Sequence, residues 1–382
     1  MLTTVTDDLT QWAINHRRYL HQHPELSGQE FETCRYIKNE LMLLGIEVLD
    51  FSEPNVVGYI TGTKGAKTIA LRADIDALPI QEQGDKSYIS QVVNVAHACG
   101  HDGHTAILLA VAKWISENRQ KVKHNIVLLF QSSEEMPPSG AEQLVKEGVL
   151  ANVDEVLGLH LMSSLEKGKL GICYGPMMAS SDDFEILVEG KGGHGSAPHE
   201  TIDPSYVGAH LIIALQSIIS RRLNPTEPAV LSVGQLKAGS NYNIIPNDVY
   251  INGTFRTFSD ETRSFIIKEI TQLATNLSAS FGAKAKVKII PGTPPVVNDL
   301  HATQNVERVI KTIYGEEKME LLDKVMGAED FAFYLQQKPG SYFLIGMAGE
   351  KSAYPHHHPK FDIDEEEIGT AIDLFLNLVQ HY

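Results

Sequence analysis

Between Gly175-Pro176 and Pro291-Gly-Thr-Pro-Pro295 the sequence reads as strand, helix, strand, strand, helix, strand. Residues 183–189 (DFEILVE) alternate as a half-exposed strand does, and 204–221 have the apolar spacing of a strong helix. Strands follow at 229–236 and 248–255, then a long helix at 260–281 and a strand at 284–290. This β-α-β-β-α-β order is the split βαβ pattern of a ferredoxin-like sandwich, and about 110 residues suffice for a core of its own. The pattern constrains everything outside it. The remainder (helix 300–314, strand 342–345, final helix 364–380) is too small to stand alone, so it must rejoin the first 175 residues.

Those first residues alternate helices and strands, the mark of an α/β layer. Helices are expected up to His23-Pro24, over 31–44 with Gly45 as a stop, over 104–118 and over 142–147. Strands are expected at 56–61 and 68–72 around the Gly62–Gly65 turn, and at 155–160. The run Asn125-Ile-Val-Leu-Leu-Phe-Gln131 suits a strand buried on both faces of a helix-covered sheet. The expected fold is α/β: a helix-covered mixed sheet built from 1–179 and 293–382, with 180–292 inserted as a second domain.

Charge narrows the function. Thirty-two basic against 48 acidic residues leave a net charge of −16, which argues against a nucleic-acid binder. No apolar stretch reaches the roughly 18 residues of a membrane span, and the amino terminus lacks a signal-peptide pattern. Three cysteines are too few for a disulfide framework. The expectation is a soluble protein of the cytoplasm.

The densest chemistry lies in His97-Ala-Cys-Gly-His-Asp-Gly-His104, three histidines, a cysteine and an aspartate in a Gly-punctuated loop opening a helix. Thiolate and imidazole suit Zn²⁺ and its neighbours, and carboxylate suits harder ions such as Mn²⁺. No second CxxC or HxxxH pair closes a zinc-finger cage, so further ligands must come from distant segments. Glu134-Glu135 directly follows the buried run, where open α/β sheets present their ligand sites. Adjacent carboxylates repel unless a cation compensates or one holds a proton, which suggests one ligand and one general base. His160 closes another apolar strand, and His356-His357-His358 precedes Pro359.

These residues carry a resemblance that runs the length of the chain. His21-Gln-His-Pro-Glu25, Leu71-Arg-Ala-Asp-Ile-Asp-Ala-Leu-Pro79, the His97–His104 motif, Gln131-Ser-Ser-Glu-Glu135, Gly158-Leu-His160, Gly192-Gly-His-Gly-Ser-Ala-Pro-His199, Asn243-Ile-Ile-Pro246, Gly253-Thr-Phe-Arg256, Gly327-Ala-Glu-Asp-Phe331 and His357-His-Pro-Lys-Phe-Asp362 stand in order. Together they resemble the M20 superfamily of metallopeptidases, in its amidohydrolase branch (the hippurate and indole-acetyl-amino-acid hydrolases). The resemblance implies a zinc-exopeptidase-like catalytic domain with an inserted lid that also serves dimerisation. It implies Cys99, His101, Glu135, His160 and His357 as ligands of two divalent ions per subunit, Mn²⁺ or Zn²⁺ with Co²⁺ and Ni²⁺ as variants, and Cys99 as the bridge. His357 is chosen over His358 because the branch places this ligand two residues before Pro.

Glu134 matches the general base of a metal-activated water, and Asp74 the carboxylate beside the metal site. From the lid, His194 matches the oxyanion donor. Arg256, Asn243 and His199 are candidates for holding substrate, although Arg256 could equally serve a salt bridge within the lid. One departure stands out: the branch reads Gln-Pro-Ala-Glu-Glu, and here Ser132-Ser133 replace Pro-Ala. The implied activity is hydrolysis of an N-acyl (acetyl, benzoyl or similar) amino acid or a short peptide by a homodimer. The alternatives are a dipeptidase or carboxypeptidase, a catalytically silent metal-binding protein, or a hydrolase using Cys99 as nucleophile.

Overall fold

The computed structural model describes residues 5–63 and 67–381, so the turn expected over Gly62–Gly65 lies partly outside the described residues. The chain divides into two compact units. The first takes residues 1–175, 298–323 and 330–382; the second takes 176–297 and 324–329. Residues 298–323 and 330–382 thus group with the amino-terminal part. The segment 324–329 is an addition to the second unit. It runs beside 177–179, where Val325 donates its N–H to Met177 and Ala179 donates to Val325 and Gly327.

An eight-stranded sheet organises the first unit. Its order is Glu47–Leu49, Val56–Ile60, Asn125–Gln131, Thr68–Asp74, Glu155–Glu166, Gly340–Ala348, Leu170–Ile172 and Met319–Leu321. Thr68–Asp74 pairs in parallel with Asn125–Gln131 and with Glu155–Glu166, which pairs in parallel with Gly340–Ala348. Val56–Ile60 joins in the antiparallel sense, so the sheet is mixed. The central strands are buried along nearly their whole length, the reason their sequences read as unbroken apolar runs. Helices Asp7–Gln22, His101–Glu117, Leu300–Ile313 and Glu366–His381 bury their apolar faces in one core with these strands. The first helix starts at a Thr6 cap, whose side chain accepts from Leu9 N–H, with Asp7 and Asp8 in its positive first turn.

The helix expected at 104–118 begins three residues earlier, at His101. Gly100 sits at φ +94°, a region closed to most side chains, which lets the chain turn directly from Cys99 into the helix. Gly103 then permits close packing, since a Cβ there would lie 2.8 Å from Ile363 and 2.9 Å from Leu161. The strand expected at 155–160 runs on to Glu166.

The second unit has a four-stranded antiparallel sheet in the order Val230–Ala238, Asp248–Arg256, Asp182–Glu189, Lys284–Ile290. Phe184, Ile186 and Val188, every second residue of their strand, face helices Pro204–Ser217 and Asp260–Ser280 through Val207, Leu211, Leu215, Ile266 and Ile270. A two-stranded ribbon, Gly193–His194 with Ile244–Ile245, is an element the sequence did not indicate.

Candidate metal centre

The parallel pairing aligns Asp74 with Gln131, so the carboxyl ends of two neighbouring strands open on one edge. Past those ends come Asp76 on one chain and Glu134-Glu135 on the other. His160 lies within the third parallel strand, Glu155–Glu166. The loop and first turn around Gly100 bring in Cys99 and His101, and the loop after Gly340–Ala348 brings in His357.

Two trios form there. Cys99, His101 and His160 present ligand atoms within 4.8 Å of one another, and so do Cys99, Glu135 and His357. Cys99 belongs to both. His101, Glu134 and Glu135 satisfy the same limit. The five residues matched to ligands are therefore brought together with Glu134 beside them, from four separate stretches of chain.

Hydrogen bonds fix which ring nitrogens are free. His160 Nδ1 donates to Leu161 O (2.8 Å), leaving Nε2 directed at Cys99 Sγ (3.5 Å). His101 Nδ1 lies 3.0 Å from Asp76 O and 3.1 Å from Asp76 Oδ1, and the buried Nε2 has no hydrogen-bond partner. A buried, unpartnered imidazole nitrogen is costly without a bound group. His104 is different: its Nδ1 bonds Asp74 Oδ1 (2.6 Å) and its Nε2 accepts from Leu161 N–H (2.9 Å), so neither nitrogen is available. The donors fit a divalent cation: two imidazoles with a free Nε2, a thiol, and a carboxylate paired with a third imidazole.

Backbone and side-chain geometry separate the three histidines of the triplet. His356 is held by Ser163 and by Leu161 O, and His358 stacks on Tyr354 with ring centroids 4.6 Å apart. His357 sits at φ +65° and turns Nε2 to within 3.0 Å of Glu135 Oε1, while its N–H is tied to Ala98 O. A non-glycine residue in this region costs about 1–2 kcal/mol, a strain commonly stored at functional sites.

Burial dominates the electrostatics of the cluster. Burial, reinforced by Glu135 and Glu134, pushes the Cys99 thiol well above its ordinary pKa. Burial holds His160 well below, with His104 and His356 adding to the effect. Burial also opposes charge on His101, but Asp74 and Cys99 overcome it and raise its pKa. A protonated thiol is a poor nucleophile, so the Cys99-nucleophile alternative loses its premise; a cation would displace that proton.

The carboxylate bonded to His101 is Asp76 rather than Asp74. Asp76 Oδ2 also accepts from Glu135 N–H (3.0 Å) and Ser27 Oγ (2.7 Å), so one side chain orients two of the matched ligands. Asp74 stands 3.7 Å from His101 Nε2 and is bonded to His104 and to Arg72 Nη1 (2.6 Å). Both aspartates lie in the motif around 71–79, and only side-chain direction tells them apart. A second group missed in the sequence surrounds Arg17. Its guanidinium, fully buried, reaches Asp102 (2.7 Å), Asp362 (2.5 Å) and Glu365 (3.1 Å). His21 bridges Asp102 (2.9 Å) and Glu82 (2.8 Å). His21 and Asp362 each stand in a quoted motif, which was the available signal.

The sequence profile of Peptidase family M20/M25/M40 matches residues 70–381. The chain belongs to this family. It lies in the amidohydrolase branch. It is 40% identical over 366 residues to the N-acetyl-L-cysteine deacetylase of Bacillus subtilis, covering 95% of this chain and 86% of that protein. It is 39% identical over 365 residues to thermostable carboxypeptidase 1 of Saccharolobus solfataricus, covering 94% and 92%. The solved structure of the YXEP protein of Bacillus subtilis, described as a dinuclear metal-binding peptidase of the M20 family, superposes with a TM-score of 0.87 at 34% identity over 98% of both chains.

The remaining matched M20 residues lie in the second unit. His194 is exposed, and its Nδ1 accepts from Ser196 N–H (3.1 Å), with Ser196 Oγ at 2.8 Å. The ring proton then resides on Nε2. Asn243 O accepts from Gly195 N–H (2.8 Å), which fixes the turn beside His194. Arg256 ends the strand Asp248–Arg256, half-buried and with no ion pair among the described residues. A structural salt bridge therefore does not explain it. His199 is exposed, 3.9 Å from Glu200.

Proposed function

We propose that this M20 hydrolase cleaves the amide bond of N-acyl amino acids, using two divalent ions held by Cys99, His101 and His160 on one side and Cys99, Glu135 and His357 on the other. The sharing of Cys99 between two trios carries this reading. When bound, such ions polarise the substrate carbonyl and acidify water. Mn²⁺ and Zn²⁺ both suit the mixed thiol, imidazole and carboxylate donors. Glu134, beside both His101 and Glu135, takes the proton of the attacking water and returns it to the leaving nitrogen. His194, with Nε2–H as a donor, serves the oxyanion. The Arg256 fork holds the substrate carboxylate, and Asn243 and His199 complete the polar contacts.

The protein acts as a homodimer through its inserted unit, in the reducing environment of the cytoplasm, where Cys99 stays reduced. Light scattering that gave a monomer with full activity would remove the dimer. A carboxypeptidase or dipeptidase is the second reading, favoured by the carboxypeptidase named among the relatives. The test is turnover of N-acetyl and N-benzoyl amino acids against dipeptides, with metal content measured in the same samples. Glu134→Gln should keep its metal and lose at least about 10³-fold in kcat. Retained turnover would remove Glu134 as the base. Activity insensitive to chelator would remove the metal.

A further inference from the structure

The pair Glu134-Glu135 sits on a turn that the backbone resists. Ser133, immediately before it, adopts φ +49°. Nothing in the local sequence favours that conformation, since serine is neither glycine nor asparagine. The turn is held from outside, at its amides, by three buried side chains from separate parts of the first unit. Asn55 Oδ1 accepts from Ser132 N–H (2.9 Å) and its hydroxyl (3.1 Å). Glu30 Oε1 accepts from Ser133 N–H (2.8 Å). Asp76 Oδ2 accepts from Glu135 N–H (3.0 Å).

Asp76 also bonds His101, so its place at the site is plain. Glu30 is the unexplained member. It is wholly buried at the start of helix Phe31–Leu43, it caps no amide of that helix, and its Oε2 has no hydrogen-bond partner. A carboxyl taken out of water to face backbone N–H groups, with burial pushing its pKa up to about 7, is an expensive way to fill a core position. Its bond to a distant part of the chain lands on Ser133, one residue before the proposed base.

We propose that Glu30 is a positioning residue that fixes the Glu134 carboxylate by anchoring the Ser133 peptide in its left-handed conformation. The peptide of Ser133 sets the direction in which Glu134 leaves the turn. Without the anchor the peptide can relax toward an ordinary conformation, and Glu134 swings with it. Glu135 keeps its own anchor at Asp76 and its contact with His357, so metal binding should survive. This inference rests on Glu134 acting as the base.

The experiment compares Glu30→Gln and Glu30→Met in the full chain loaded with Mn²⁺. Glutamine keeps an acceptor at Oε1; methionine fills the same volume and offers none. The expected result for E30M is a kcat lowered about 30-fold or more, with KM within roughly twofold and metal stoichiometry unchanged. E30Q should stay within about threefold of the parent. If E30M does not fold, Glu30→Asp replaces it; one methylene shorter, it withdraws the acceptor and should lose about tenfold in kcat. A folded, metal-loaded E30M with parental kcat overturns the inference, as does an E30Q as impaired as E30M. Glu134→Gln in the same series separates the two claims. If E134Q is active, the assignment of the base has failed. If E134Q is dead and E30M is not, only the role of Glu30 has failed.

Discussion

Arg17→Met should cost the first unit about 3–5 kcal/mol, the range for removing one partner of a buried ion pair. Arg17 has no exposed surface and faces three carboxylates, Asp102, Asp362 and Glu365. Bonds to charged groups are worth about 1.5–3 kcal/mol each, and three taken singly would reach about 4.5–9 kcal/mol. They do not add, because Asp362 and Glu365 are partly exposed and can recruit water. Asp102 is fully buried and keeps only His21, so most of the cost falls there. Methionine preserves the bulk of the stem, so lost packing contributes little. Arg17→Lys retains the charge but cannot reach three acceptors, and about 2 kcal/mol is expected. Urea unfolding followed by tryptophan fluorescence reads this cleanly. The protein has two tryptophans, and both, Trp12 and Trp114, lie on helices of the first unit. The pH dependence gives a second check. Burial works against ionisation of Asp102, but Arg17 and then His21 hold its carboxyl well below the ordinary range. A depressed carboxyl contributes stability above its unfolded value, near pH 4, and loses it as pH falls further. The gap between parent and R17M should therefore be full at pH 7 and shrink below about pH 4. A loss under about 1 kcal/mol, or a gap that does not move with pH, would refute the reasoning.

Three further outcomes are expected. Arg256→Lys should raise KM for N-acyl amino acids about tenfold and leave substrates lacking the carboxylate unchanged; equal effects on both would count against the contact. His97 is buried with neither ring nitrogen bonded, and burial lowers its pKa to about 4. Its neutral form is favoured by folding, so it contributes stability above pH 6.5 that fades toward pH 4. His97→Phe should flatten the metal-free protein's stability in that window by about 2–3 kcal/mol in urea melts, and an unchanged slope would rule this out. Chelation should abolish turnover, and Mn²⁺ or Zn²⁺ should restore it; restoration by Ca²⁺ alone would contradict a site containing a thiol.

Much of the fold was legible because its signals are local. Unbroken apolar runs marked the central strands, alternation marked the second unit's sheet, and Gly45 marked a helix end. The short pairings were not legible. Gly193–His194 with Ile244–Ile245 has too few residues to carry a period, and it forms only because distant chain brings the partner. The start of the helix at His101 was missed because it depends on Gly100 adopting a left-handed conformation, not on residue pattern.

At the site, the sequence by itself determined the inventory: a thiol, imidazoles and two adjacent carboxylates in ordered motifs. Residue type sets affinity for a cation, and residue type is written in the sequence. Only the tertiary structure shows which of these side chains meet. It chose Asp76 over Asp74 to orient His101, withdrew His104 by filling both its nitrogens, and set His357 apart from its neighbours. It also revealed the buried ion pairs of Arg17 and His21. Those choices depend on side-chain direction and on which buried hydrogen bonds close, and these are properties of the packed chain.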